Sequence, residues 1–129
     1  MTIVDTSVWI DFFNGVSSPQ TRELKLLLEF DFIAIGDIIW LEILQGIKSD
    51  TQFNVVMAHF ANIPIFNLLG KERVVHCAQL YRKLRKNGIT IRKTTDAIIA
   101  SYCIENGHRL LYADRDFRPF EEFCGLNHQ

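Results

Sequence analysis

Thr2-Ile3-Val4-Asp5-Thr6-Ser7 opens the chain with a β-branched apolar run that ends on a carboxylate and two hydroxyls. Such residues fit a buried extended segment, and the carboxylate marks where that segment stops. The pattern recurs along the chain. Phe32–Ile35 is a second apolar run, followed by Gly36-Asp37; Ile63–Phe66 is a third; Leu110–Ala113 is a fourth, followed by Asp114. Pro64 suits the third run to a sheet edge rather than its centre.

Helical patterns lie between these runs. Thr6 or Ser7 can cap a helix through Phe13, with Asn14-Gly15 as its stop. Gln20–Phe30 places Leu24, Leu27 and Leu28 on one face, and Gly36-Asp37 starts a helix to about Ile47. Thr51–Phe60 sets Phe53, Val56, Met57 and Phe60 on one side. Lys71–Lys86 is the longest helix, closed by Asn87-Gly88. Thr94 and Thr95 can cap a helix that carries Asp96 to about Glu105, with Asn106-Gly107 as its stop. Short strands separated by helices predict an α/β fold with a mainly parallel sheet of four strands, or five if the tail around Phe123–Leu126 adds another.

At 129 residues the chain is expected to form one domain, residues 1–129. Hydrophobic residues make up 48% and charged ones 22%, a balance that excludes a disordered chain. The formal net charge of −1 provides no global positive field, so any nucleic-acid contact must rest on a local patch. Cys77, Cys103 and Cys124 are an odd set without C-x-x-C spacing, and no histidine completes a zinc pattern. Buried thiols in a reducing cytoplasm fit better than a disulfide framework. The N-terminus lacks a basic segment and is broken by Asp5 and Asp11, unlike a signal peptide. No apolar run approaches the ~18 residues of a membrane span.

Four acids carry the chemical signal: Asp5, Glu42, Asp96 and Asp114, each just after or shortly beyond an apolar run. In an alternating strand–helix chain those positions converge on one edge of a parallel sheet, where ligands bind. Carboxylates gathered there repel one another and rise in pKa unless a cation compensates. Oxygen-only ligands favour a hard divalent ion, Mg²⁺ or Mn²⁺. Each acid also has a structural explanation. Asp5 suits a turn or cap, Glu42 a solvent stripe with Gln45 and Ser49, and Asp96 the positive end of a helix dipole. Asp114 and Asp116, two residues apart, suit an acidic turn beside Arg115, or one ion if the chain stays extended there.

Taken together, Ile3-Val4-Asp5-Thr6-Ser7-Val8-Trp9-Ile10-Asp11, Leu41-Glu42-Ile43-Leu44-Gln45-Gly46, Thr94-Thr95-Asp96-Ala97-Ile98-Ile99-Ala100 and Leu110-Leu111-Tyr112-Ala113-Asp114-Arg115-Asp116-Phe117 resemble the PIN-domain ribonucleases, and more narrowly the VapC toxins of toxin–antitoxin pairs. The resemblance spans the whole chain in the right order. It implies a three-layer α/β/α sandwich and an acidic quartet at Asp5, Glu42, Asp96 and Asp114. It further implies metal ligation by Asp5, Asp96, Asp114 and the adjacent Asp116, and a hydroxyl near the metal and substrate at Thr6 or Ser7. Where the family commonly has a small hydroxyl two positions before the fourth acid, this chain has Tyr112.

The implied activity is endonucleolytic hydrolysis of RNA, dependent on Mg²⁺ or Mn²⁺, by a cytoplasmic homodimer that pairs with an antitoxin protein and not with a membrane. The antitoxin would lie along a groove formed by early helices rich in bulk: Trp9, Ile10, Phe12, Phe13, Leu24 and Trp40 among them. Arg92 and Lys93, close to Asp96, are candidate phosphate contacts, whereas Arg82, Lys83, Arg85 and Lys86 suit a solvated helix end. Three other classes stand beside this reading, one of them a DNA nuclease with related acids, whose flap-processing examples are longer and carry more acids. A catalytically inactive metal- or RNA-binding module would carry the same carboxylates. A phosphoacceptor receiver would need an acidic acceptor after a middle strand and a late lysine, but here Asn67 and Asp-Arg-Asp stand at those places.

Overall fold

The computed structural model describes residues 1–30 and 32–128. Its elements run β1 (Thr2–Val4), α1 (Thr6–Phe13), α2 (Pro19–Phe30), β2 (Ile33–Gly36), α3 (Asp37–Gly46), α4 (Asp50–His59), β3 (Ile65–Phe66), α5 (Lys71–Lys86), α6 (Thr94–Asn106), β4 (Arg109–Leu111) and α7 (Arg118–Cys124). A 3₁₀ turn, Arg115–Phe117, joins β4 to α7.

The strands form one parallel sheet in the order β3-β2-β1-β4. Thr2 is paired with Ile33 on one side and Arg109 on the other, so β1 is central and buried along its length. From β1 the chain steps outward to β2 and β3, then crosses back to lay β4 on the opposite side of β1. Right-handed crossovers place α1 to α4 on one face and α5 and α6 on the other. The helix packing agrees: α1 lies against α2 and α3, and α5 against α6 and α7. The result is a three-layer α/β/α sandwich. The reversal of strand order between β1 and β4 opens a crevice at their carboxyl ends, the place where such sheets bind ligands.

Most of the bulk in the early helices is core. Trp9, Leu24 and Ile39 are buried, and Phe12, Phe13, Leu27, Leu28 and Trp40 pack partly buried against them. Phe60 anchors this side, its ring 4.6 Å from both Trp9 and Trp40. Ile10 instead points outward and is exposed. None of the helices in the described residues is long and apolar enough to cross a membrane.

Three sequence expectations are corrected. The tail does not add a fifth strand. Pro119 starts a helix there, α7 buries Phe120, and Gly125 ends it at φ +76°. What remains of pairing is a single bridge between Asn127 and Arg109. The cap of α1 is Asp5, not Thr6 or Ser7: its carboxylate accepts from the Ser7 amide at 3.1 Å, which leaves both hydroxyls inside the first turn. The residue ahead of α6 is Lys93, with no side-chain cap bond, so Thr94 and Thr95 are helical. Pro64 does sit at the edge. Its carbonyl accepts from Ile35 N at 3.0 Å, and β3 is only two residues long.

Gly36, at the end of β2, is held glycine by packing. A Cβ there would lie 2.2 Å from Leu68 Cδ1, on a side chain that is itself buried. Gly36→Ala is expected to destabilise the fold by about 1–3 kcal/mol. Gly46→Ala, with open space around it, should be neutral or stabilising by up to about 1 kcal/mol. Urea midpoints compare the two, and equal midpoints would refute the packing account.

Candidate metal centre

Each acidic side chain reaches the crevice through a different element. Asp5 leaves the buried central strand and is 4% exposed. Its Oδ2 accepts from the Ser7 hydroxyl at 2.6 Å as well as from the Ser7 amide. The same hydroxyl accepts from Ala113 N at 3.3 Å, so Ser7 ties the end of β1 to the segment that follows β4. Asp96 stands in the first turn of α6, 6% exposed. Asp114 caps the 3₁₀ turn by accepting from Asp116 N at 3.0 Å. Glu42, half-buried on α3, accepts from the Thr6 hydroxyl at 3.0 Å.

Asp96, Asp114 and Asp116 present carboxylate oxygens within 4.8 Å of one another. The last two achieve this through a tight turn, the first of the two arrangements open to that sequence, and not through an extended chain. Asp5 lies beside this trio, close enough for its charge to act on Asp96, while Glu42 lies farther along and acts on Asp5. Two cations approach from the segment ahead of α6. Lys93 Nζ is 3.7 Å from Asp114 Oδ2, and Arg92 Nη1 is 3.8 Å from Asp116 Oδ1.

The electrostatics follow from burial. Burial pushes the Asp96 carboxyl up to about 7, and the charges of Asp5, Asp114 and Asp116 add to this against the opposing Lys93. Asp5 is also raised by burial, although its bonds from Ser7 pull the other way. One oxygen, Asp96 Oδ2, is buried with no hydrogen-bond partner among the described residues. An orphaned acceptor among crowded carboxylates is what a cation would satisfy, and an all-oxygen donor set suits a hard divalent ion. The residues therefore fit Mg²⁺ or Mn²⁺.

Other acids and hydroxyls are spent elsewhere. Asp37 follows β2 much as Asp5 follows β1, but its Oδ1 accepts from the amides of Ile38 and Leu68 at 2.8 and 3.1 Å. The Tyr112 phenol donates to Glu121, which also faces His128, so it contributes nothing to the crevice. The clamp formed by Ser7 was legible only as one of two adjacent hydroxyls. Its signal is the spacing of two after an aspartate, which lets the carboxylate turn back on the following backbone.

A family model described as PIN domain matches residues 2–122. The chain belongs to the PIN-domain family. Within it the relatives are VapC proteins: the chain is 31% identical over 128 residues to VapC ribonuclease Mb1587 of Mycobacterium bovis, covering 98% of this chain and 96% of that one. It stands in the same relation, again 31% over 128 residues, to Ribonuclease VapC11 of Mycobacterium tuberculosis. Two solved structures share the fold. VapBC2 from Rickettsia felis, bound to a DNA fragment from its promoter, gives a TM-score of 0.77 at 20% identity, covering 98% of this chain and 95% of that chain. FitAcB from Neisseria gonorrhoeae gives 0.71 at 18%, with the same coverage of 98% and 95%.

The raised Asp96 and Asp5 carboxyls set a pH dependence for this PIN domain. Both bind protons more tightly folded than unfolded, so metal-free stability falls as pH rises from about 4, the ordinary carboxyl range, to about 7. Asp96→Asn should reduce that slope. Thermal melts in EDTA between pH 4 and 8 test it; a variant with the parent's slope would remove Asp96 as the cause.

Proposed function

We propose that the chain acts as a single nuclease domain, residues 1–129: a metal-dependent endoribonuclease and the toxin of a type II toxin–antitoxin pair. The observation that supports this most is the trio Asp96, Asp114 and Asp116, with the Asp96 carboxylate keeping a buried, unpartnered oxygen, in a chain similar along nearly its whole length to VapC ribonucleases.

In this reading Asp96, Asp114 and Asp116 hold one or two Mg²⁺ or Mn²⁺ ions, with Asp5 completing the set directly or through water. The ion, when bound, supplies positive charge against the phosphodiester and lowers the pKa of bound water. Glu42, fixed by Thr6, orients the attacking water, so Thr6 serves the substrate through Glu42. Arg92 and Lys93 contact the RNA backbone.

A groove of about 600 Å³ runs between α1, α3 and α4, with Ile10, Phe13, Ile43 and Val56 along it and Glu42 in its lining. One related fold is described as a toxin–antitoxin complex from Klebsiella pneumoniae, 24% identical at a TM-score of 0.69. By analogy this groove receives the antitoxin. The nuclease itself is a cytoplasmic homodimer.

Incubated with a structured RNA pool, the purified protein is expected to give discrete cuts that vanish with EDTA and with Asp5→Asn. Cleavage that survives Asp5→Asn would remove the assignment, and a folded, antitoxin-free protein without cuts would favour an inactive binding module. Light scattering at micromolar concentration should give twice the chain mass, and Ile10→Asp should abolish the further gain on adding antitoxin. A monomer refutes the dimer, and a complex retained by Ile10→Asp refutes the groove.

A further inference from the structure

We infer that Arg92 and Lys93 are exchangeable counter-ions, held by Asp116 and Asp114 while the centre lacks metal and handed to the RNA backbone when a divalent ion arrives. The inference rests on the ribonuclease reading above and assigns it a regulation: metal binding and RNA binding reinforce each other through these two side chains.

Charge balance is the first support. Lys93 Nζ stands 3.7 Å from Asp114 Oδ2 and Arg92 Nη1 stands 3.8 Å from Asp116 Oδ1, one cation for each acid. A divalent ion among the same carboxylates brings the same two positive charges. The ion then takes over the neutralisation of Asp114 and Asp116, which weakens their hold on the two side chains and leaves those charges available to another anion. Geometry is the second support. Lys93 precedes α6 on extended backbone at φ −127° and ψ 124°, three residues before Asp96. Both cations therefore stand at the rim of the acidic cluster, just ahead of the helical turn that carries Asp96.

Exposure is the third. The Arg92 and Lys93 side chains are 78% and 58% exposed, so these pairs are weak and screened. A permanent structural bridge would be buried or bidentate. Long flexible stems let each charged group leave without moving the backbone. The contrast with Arg109 is direct: its guanidinium is mostly buried and bonds Glu23, the carbonyl of His128 and nothing in the crevice. Because coupling is reciprocal, RNA that occupies Arg92 and Lys93 strips the acids of their counter-ions and raises metal affinity by the same factor.

Two measurements test this. Calorimetric titration of Mn²⁺ into the RNA-free protein should give about a several-fold tighter dissociation constant for Arg92→Gln/Lys93→Gln than for the parent, since competing cations are gone. Lys86→Gln, a cation at the far end of α5, should change nothing. Fluorescence anisotropy of a labelled RNA oligonucleotide then follows in a Glu42→Gln background, which keeps the proposed metal ligands and removes the group assigned to orient the attacking water. Adding Mn²⁺ should tighten binding and steepen the salt dependence by about two units, one for each released cation. The double variant should lose that steepening.

A steepening that persists in the double variant, or an unchanged Mn²⁺ affinity, overturns the exchange and leaves the ribonuclease reading intact. RNA that binds under none of these conditions overturns the ribonuclease reading and the exchange with it.

Discussion

Two carboxylates buried next to each other, Asp5 at the end of the central strand and Asp96 at the start of α6, are the constraint around which the fold is arranged. Removing charge from water is costly, and placing like charges together costs more. The structure offsets this locally. Both acids stand at helix N-termini, where the dipole favours negative charge. Ser7 gives Asp5 two donors, and the rigid apolar layer beneath, from Ile3 to Leu110, prevents the acids from relaxing apart. No comparable arrangement relieves Asp96, whose inner oxygen stays without a partner. The destabilisation is concentrated at the one point where a cation can remove it, which is where functional sites keep such costs.

The sheet topology explains why these residues meet. Asp5 and Asp114 are more than a hundred positions apart in the chain, yet they leave adjacent parallel strands at the same end. Asp37 leaves the neighbouring strand at the same end and is used differently, as an acceptor for the backbone entering α5. Position after a strand is therefore necessary but not sufficient. What separates Asp5 from Asp37 is the reversal of strand order beside β1, which leaves Asp5 facing a crevice, whereas Leu68 folds over Asp37.

Much of this was legible in the sequence, and the failures have physical reasons. The alternation of β-branched runs with helical periods sufficed for the α/β class, and Lys71–Lys86 was read with its true ends because a long amphipathic pattern there meets Asn-Gly. Boundaries failed where several residues compete for one role. In Asp5-Thr6-Ser7 three side chains can cap, and in Lys93-Thr94-Thr95 two hydroxyls imitate a cap that the backbone does not use. Phe123–Leu126 reads as a strand because a short apolar run carries no period of its own. The location of the acids was legible from their place after strands, but their distances were not. That the crowded trio excludes Asp5, and that Ser7 rather than Thr6 braces it, depends on side-chain geometry invisible to spacing.

The sheet's two ends have a consequence for solubility. Open strands can template pairing with other chains, and a protein proposed to circulate with and without a partner meets many of them. On one side β3 offers only Ile65 and Phe66, with a proline just before. On the other, β4 is met by Asn127 and overhung by α2 and α7 around the Tyr112 cleft. Neither border presents a run long enough to recruit a foreign strand, so loss of the partner need not start aggregation through the sheet.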